Sequence, residues 1–285
     1  MRTVLEEGAT KDGFRAILQD RSVVAVILLS FVIMTGFGLV LPILPLFARS
    51  FGVGYQAAGL LTSAFGLTRL AADLVAGGLV DRMGERASAA GGLVLLGACA
   101  LATALAGDFT LAVAVWALGG IGSALMFAAQ YSYLLKVVPK TAMARTLGLF
   151  YGSFNVGIIT GGVAGGILAD RFGLATPLFV YSGVLFLASL LYLRFVPPPA
   201  VRATPPELTT EVVLTEREAP VQRGTVERLR SLLRTRGFVT VLVVNFAYMW
   251  MVTAVFDTLI PLFGQDRLDM STVGIGAAFA VAIAV

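Results

Sequence analysis

The chain has 285 residues, of which 58% are hydrophobic and 13% charged, and its mean hydropathy is +0.88. Soluble domains carry about 25% charged residues, so this composition excludes a water-soluble globular protein. The chain has no histidine and one cysteine, Cys99, which excludes histidine triads, histidine metal sites and an internal disulfide. The net charge of +4 favours contact with anionic lipid headgroups and not with nucleic acid.

Seven apolar runs are long enough to cross a bilayer, which takes roughly 20 residues. We expect helices, because an unpaired backbone polar group is too costly in lipid. The predicted spans are residues 22–47, 55–80, 88–107, 109–137, 144–169, 176–196 and 238–263. An eighth run begins near Ser271 and stops at Val285, which predicts a truncated product that ends inside a helix.

The spans predict two transmembrane domains joined by a linker. A segment at 1–21 precedes a six-helix domain at 22–196, and the polar, proline-rich stretch 197–237 is predicted to be an extended linker. The truncated second domain is predicted at 238–285. The tripeptide PLF closes both the first span (Pro45–Phe47) and the seventh (Pro261–Phe263), which favours two parallel halves.

Basic residues concentrate on alternate connectors. The N-terminal segment carries four and the long linker region eight, whereas the opposite side has only Arg49, Arg171 and Arg267. The positive-inside rule therefore predicts a cytoplasmic N-terminus. We expect an integral multi-pass protein of a prokaryotic inner (plasma) membrane.

Two connectors carry related sequences with charges and glycines. Gly77–Arg86 reads GGLVDRMGER after the second span, and Gly166–Gly173 reads GILADRFG after the fifth. The first copy is predicted to lie inside and the second outside. Equivalent elements in opposite orientation are typical of the inverted repeats of transporters.

These motifs resemble the major facilitator superfamily. Gly77–Arg86 is similar to its cytoplasmic motif A, with Glu85 in place of the usual basic residue. The glycine-rich fifth span is similar to the antiporter motif C, with Gly162 where the family often has proline. Pro42 and Pro45 resemble the proline motif of the first span. The resemblance implies an all-α membrane protein: an N-terminal bundle of 3+3 inverted repeats, a linker, and the first one to two helices of a second bundle.

The resemblance also implies a conformational gate at motif A. Asp81 would accept hydrogen bonds from a nearby arginine or from a facing helix N-terminus. A polar turn that only sets topology is the alternative interpretation. The predicted gate residues are Gly77, Leu79, Asp81, Arg82, Gly84 and Arg86, and the predicted motif C residues are Gly157, Gly161, Gly162, Gly165 and Gly166.

Three charges lie within predicted spans and away from the connectors: Arg69, Asp73 and Asp257. Lys136, Arg145 and Arg194 lie at span ends and count with the connectors. Such charges are costly in lipid and are functional by default. Arg69 and Asp73 are four residues apart on one helix face and are predicted to pair, either as a structural clamp or as a proton-coupling site. Asp257 has no obvious local partner.

A candidate substrate cavity is aromatic and rich in amides, which suits lipophilic organic compounds. Packing against neighbouring helices is the alternative for each side chain. The fourth span also resembles motif B, with Trp116 in place of its arginine. The candidate cavity residues are Trp116, Gln130, Tyr131, Asn155, Asn245, Tyr248 and Trp250.

The sequence favours a membrane transporter and not an enzyme, because it has no P-loop, metal cluster or nucleophile–base pair. The leading hypothesis is efflux of small lipophilic compounds, with the proton as coupling ion and the lipid bilayer as partner. An importer or facilitator of a sugar, organic acid or peptide, and a non-transporting fragment, are the alternatives. No cofactor and no metal are predicted, and the sequence predicts no oligomeric state.

Overall fold

The computed structural model describes residues 20–199, 233–251, 255 and 258–284, without the side chains of residues 245, 248–250, 283 and 284. Most of the predicted N-terminal segment and linker therefore lie outside the described residues, as does Asp257. The helices are α1 (Arg21–Val40), α2 (Leu44–Arg49), α3 (Tyr55–Met83), α4 (Glu85–Ala104), α5 (Phe109–Val137), α6 (Lys140–Phe172), α7 (Thr176–Phe195), α8 (Arg236–Met251), α9 (Ile260–Leu268) and α10 (Thr272–Ala284).

Six helical segments in the described residues are long and apolar enough to cross a membrane. The first is α1 together with α2, and the others are α3 to α7. They match the first six predicted spans within a few residues, so the predicted all-α membrane fold is confirmed. The predicted seventh span contains α8 and the start of α9.

The helix ends follow from a few special residues. The first span breaks at Leu41–Ile43, where Pro42 lacks a backbone N–H, and α2 resumes with Pro45 in its first turn. Asp20 caps α1 by accepting the Ser22 backbone N–H at 3.0 Å. Asp108 caps α5 in the same way through the Leu111 N–H at 2.9 Å.

The two related motifs end their helices in the same conformation. Gly84 closes α3 with φ of 82°, and Gly173 closes α6 with φ of 96°. Each donates its N–H to the carbonyl four residues earlier, on Val80 at 2.8 Å and on Ala169 at 3.0 Å. Only glycine adopts this backbone conformation without strain, which explains why both copies carry it.

Helix packing has the symmetry of a 3+3 repeat. The pairs α3–α5 and α4–α5 have the counterparts α6–α1 and α7–α1 when the first three spans are exchanged with the next three. The pair α4–α7 maps onto itself. This correspondence is the packing expected of an inverted repeat.

We call the side where α1 begins the N-terminal face and the opposite side the distal face. The N-terminal face carries the α3–α4 junction, the end of α5 and the end of α7. The distal face carries the α2–α3 connection, the start of α5, the α6–α7 junction and the start of α10.

Candidate functional site

The motif C glycines let α6 pack closely against α1. A methyl group added at Gly157 would lie 2.8 Å from the Phe31 carbonyl oxygen, and one at Gly161 would lie 2.9 Å from the Gly38 Cα. Real methyl groups do not approach backbone atoms so closely, so only glycine fits here. Gly165 follows the same ridge, next to Leu39.

A second ridge of α6 packs on α10. A methyl group at Gly162 would lie 3.5 Å from the Gly276 carbonyl oxygen, and one at Gly166 would lie 3.0 Å from the Val273 Cα. We call this contact the glycine seam, formed by Gly162, Gly166 and Gly276. It joins the six-span bundle to α10, a helix in the part of the chain after the predicted linker.

The second motif copy continues the seam at the distal face. The Thr272 hydroxyl donates to the Gly166 carbonyl at 3.0 Å and lies 3.4 Å from Asp170 Oδ1. Thr272 is the first residue of α10, where the helix dipole favours a carboxylate. Asp170 is the acid of this copy, so it meets a helix N-terminus as the resemblance implied for Asp81 of motif A.

A cluster of three side chains crosses the same face. Asp266 of α9 accepts hydrogen bonds from the Arg49 guanidinium at the end of α2 and from the Tyr55 hydroxyl at the start of α3. The Arg49 guanidinium also lies 4.9 Å from the centre of the Tyr55 ring. We call Arg49, Tyr55 and Asp266 the distal latch.

The hydrogen bonds to Asp266 favour its ionised form. The Tyr55 hydroxyl, followed by Arg49, lowers the pKa of Asp266 below its usual value. Arg267 adds a smaller effect in the same direction. Asp266 is therefore a carboxylate at neutral pH, and acid conditions are needed to protonate it.

Motif A lies at the N-terminal face with most of its side chains exposed. Leu79, Asp81 and Arg82 are exposed, and nothing lies within 4 Å of a methyl group added at Gly77. Among the described residues, no hydrogen bond or ion pair of Asp81 is recorded. Arg86 donates instead to the Leu193 carbonyl near the end of α7.

Glu85 joins motif A to α5. Its side chain belongs to a residue only 3% exposed, and it accepts a hydrogen bond from the Ser132 hydroxyl at 2.7 Å. It also forms an ion pair with Lys136. We call Glu85, Ser132 and Lys136 the acid clasp; it fixes the start of α4 against the end of α5.

Arg69 and Asp73 pair along α3 as predicted. Arg69 Nε lies 3.8 Å from Asp73 Oδ2, and the two side chains are 35% and 47% exposed. The Arg69 guanidinium also lies over the Phe127 ring of α5, 4.5 Å from its centre. The choice between a clamp and a coupling site stays open.

The predicted cavity residues whose side chains the structure describes do not form one continuous wall. Trp116 is 2% exposed and stacks on Phe65, and Gln130 is 1% exposed with its Oε1 3.3 Å from the Ser30 hydroxyl. Both side chains are thus packed between helices. Tyr131 lies in an aromatic cluster of α5 and α6, and Asn155 is exposed on α6.

The predicted cavity residues of the seventh span stay untested. The side chains of Asn245, Tyr248 and Trp250 lie outside the described residues.

Sequence reasoning missed the distal latch and the acid clasp. Each joins residues that are far apart in the chain, such as Arg49 and Asp266, so no local spacing indicates them. One feature of the sequence could have indicated the distal latch: Arg49 is one of only three basic residues predicted on the side opposite the N-terminus. For the clasp, the signal was the unusual acid at Glu85.

Comparisons with known proteins agree with this architecture. The model of a family described as Major Facilitator Superfamily matches residues 26–285. Multidrug resistance protein 2 of Bacillus subtilis is 27% identical over 175 residues, which cover 61% of this chain and 44% of that protein. Quinolone resistance protein NorA of Staphylococcus aureus is 27% identical over 140 residues, which cover 49% and 36%.

A solved structure shares the fold. The human organic anion transporter MFSD10 aligns with a TM-score of 0.63 at 17% identity, over 93% of this chain and 69% of that one. The chain matches less than half the length of the curated relatives, so activities of those whole proteins are not transferred by similarity alone.

Proposed function

Because the chain belongs to the Major Facilitator Superfamily of membrane transporters, we propose that it exports small lipophilic organic compounds in exchange for protons. It is an integral membrane protein and not an enzyme. The names of two relatives, a multidrug resistance protein and a quinolone resistance protein, support efflux as the direction.

The observation that carries this proposal is the two-sided packing of α6. One glycine ridge fixes α6 to α1 inside the bundle, and the other forms the glycine seam with α10. Smooth backbone surfaces of this kind allow one helix to slide or tilt on another without side-chain obstruction. We infer that α10 and the rest of the second domain rock against the six-span bundle at this seam.

In the proposed transport cycle, each face of the molecule is closed by its own set of contacts. The distal latch and the Asp170–Thr272 contact hold the distal face closed in this conformation. Motif A, with its exposed Asp81, closes the N-terminal face in the alternative conformation. Two alternating closures of this kind define alternating access.

Topology and domain division follow from the same proposal. The N-terminal face, which is rich in Lys and Arg, is cytoplasmic, and the membrane is a prokaryotic inner membrane. Residues 22–196 form the first domain, 197–237 the linker, and 238–285 the start of the second domain.

The proton-coupling group belongs among the acids inside the spans. Asp73 is adjacent to Arg69, and Asp257 is the other in-span acid. Asp266 is excluded from this role, because its lowered pKa keeps it ionised near neutral pH.

Reconstituted vesicles test the proposal. In vesicles that contain the protein, we expect a lipophilic dye without a positive charge, such as Nile red, to accumulate against its gradient when a pH gradient is imposed. An ionophore that collapses the pH gradient should stop this accumulation. Asp73→Asn should reduce accumulation, whereas the matched Asp269→Asn should not, because Asp269 lies in a distal turn with φ of 49° that asparagine also adopts. Accumulation that ignores the ionophore contradicts proton exchange.

A further inference from the structure

Arg69 lies at the middle of a membrane span. It is the fifteenth of the 29 residues of α3, so roughly 20 Å of helix separates it from either end at 1.5 Å per residue. A side chain cannot reach the membrane surface over that distance. Intramembrane charges that cannot reach the surface face the protein interior or a water-filled cavity, which places Arg69 on a solute pathway.

Packing holds the Arg69 guanidinium in one place. It lies over the Phe127 ring, 4.5 Å from the ring centre, and its Nε lies 3.8 Å from Asp73 Oδ2. The cation–π contact stabilises the charge without using its N–H groups. A guanidinium has five N–H donors, and the single long contact to Asp73 involves only the one on Nε.

The terminal nitrogens of Arg69 are available to a ligand. The structure records no hydrogen bond from either of them to a described residue, and the side chain is 35% exposed. Two adjacent N–H groups in one plane match the two oxygens of a carboxylate or sulfonate. An apolar compound without an acidic group has nothing to offer them.

An aromatic row leads away from Arg69. The Phe127 ring meets Phe154 of α6 edge to face at 5.5 Å, and Phe154 meets Tyr151 at 5.7 Å. Tyr151 is 48% exposed at the far end of the row. The charge and the row together suit a flat aromatic molecule with an acidic group at one end.

We propose that Arg69 is a specificity-determining residue that binds the acidic group of aromatic monoanions, while their rings pack against the accessible parts of Phe127 and Tyr151. The inference rests on the proposed transport function, of which it names the substrate class. The bound anion replaces Asp73 as the partner of Arg69. Asp73 therefore competes with the substrate, and its removal strengthens anion binding.

A matched set of three probes tests the site by calorimetry on the full chain in lipid nanodiscs, with empty nanodiscs subtracted. 1-Naphthoate, 1-naphthalenemethanol and 1-naphthylmethylammonium share one ring system and differ in charge. We expect naphthoate to bind about tenfold or more tightly than the alcohol, because only the carboxylate can accept a pair of charge-assisted hydrogen bonds from the guanidinium.

Variants assign the preference to Arg69. Arg69→Gln should abolish it, and Arg69→Lys should keep only part of it, because an ammonium lacks the planar pair of donors. Asp73→Asn should bind naphthoate more tightly than the parent protein, which is the opposite of the loss expected for the Arg69 variants. Misfolding weakens binding and therefore cannot produce this increase. Lys140→Gln, which removes one exposed positive charge at the start of α6, should bind all three probes like the parent.

Three results overturn the proposal: equal affinity for the three probes, preference for the ammonium probe, or naphthoate binding that Arg69→Gln leaves unchanged. Absence of naphthoate binding by the parent chain overturns it as well. The dye assay separates this inference from the transport proposal. Dye export without naphthoate preference removes the Arg69 site alone, and naphthoate preference without dye export removes the export proposal alone.

Discussion

Glu85 is an acid at a motif position that usually carries a base, and neighbouring side chains compensate for the change. The family motif that it resembles usually carries a basic side chain there, and a buried carboxylate without a partner would be costly. The structure supplies Lys136 and Ser132 from α5 as partners. The charge at the motif is reversed, and a cation on the neighbouring helix balances it.

The acid clasp predicts a rescue by charge exchange. Glu85→Gln should destabilise the bundle by about 1–3 kcal/mol, toward the lower end because Lys136 is 42% exposed. The double variant Glu85→Lys with Lys136→Glu should recover part of the loss. Thermal unfolding in detergent, followed by circular dichroism, measures both. A Glu85→Gln protein as stable as its parent would show that the clasp is not stabilising.

Asp266 predicts how the distal face responds to pH. A lowered pKa means that the carboxylate form is favoured in the latched state, so the latch persists at neutral pH and is lost only as the pH falls through that lowered value. Spin labels at Ser50 and Leu268 should keep a constant distance down to about pH 4, near the ordinary aspartate pKa, and separate below it.

Asp266→Asn provides the control for this titration. It removes the charge that Arg49 and Tyr55 bind, so the label distance should be long at every pH. A distance that lengthens in the parent between pH 8 and 5 contradicts the latch as described, since Asp266 is then not the group that titrates.

At the scale of elements, α6 packs both on a helix of the six-span bundle, α1, and on a helix outside it, α10. Its glycines divide by helical periodicity into a ridge toward α1 and a ridge toward α10. The first contact lies inside the bundle and the second lies between the bundle and the following domain. In the proposed cycle, the same helix combines a fixed contact with α1 and a moving contact with α10.

The two ridges predict different consequences of substitution. Gly161→Leu should destabilise the whole bundle by about 1–3 kcal/mol or more, because the side chain meets the backbone of α1. Gly166→Leu should leave the bundle stable and abolish dye transport, because it displaces α10. Thermal unfolding and vesicle transport, measured on both variants, separate the two effects.

Gly148→Leu is the matched control on the same helix. Nothing lies within 4 Å of a methyl group added there, and leucine favours a helix more than glycine does. Its stability should equal or exceed that of the parent. Equal behaviour of all three variants would mean that the glycines are not needed for close packing.

At the scale of the whole molecule, the fold was predictable and the contacts across it were not. Apolar length placed six spans within a few residues, and two copies of one motif indicated the inverted repeat, because both signals are local in the sequence. The pairing of Arg49 with Asp266 depends on how two helices meet 217 positions apart in the chain, which no periodicity encodes.

For the candidate site as well, local pairs were predictable from the sequence and contacts between helices were not. The i, i+4 spacing gave the Arg69–Asp73 pair, since a helix brings such residues together. The spacing gave neither the position of Phe127 under the guanidinium nor the burial of Trp116, because both depend on the crossing of α3 and α5. Residue type alone therefore placed Trp116 among cavity residues, whereas the structure packs it on Phe65.

Motif A and its copy lie at opposite faces of the molecule. The copy grips the N-terminus of α10 at the distal face through Asp170, and motif A presents Asp81 in the equivalent place at the N-terminal face. One gate is engaged in this conformation and the other is free to engage in its opposite. Transport by alternation between these two closures is the central claim.

Reversible cross-linking of the distal face tests that claim most directly. In a Cys99→Ser background, joining the neighbouring pair Ser50→Cys and Leu268→Cys with a bis-maleimide that contains a disulfide should stop dye transport while leaving the latch residues in place. A reductant that cleaves the cross-linker should restore transport. The control pair Ala90→Cys with Ser189→Cys joins α4 to α7 inside the bundle, where Ser189 donates to the Ala90 carbonyl at 3.1 Å, and its oxidation should not affect transport. Undiminished transport with the distal pair cross-linked would contradict alternating access at this face.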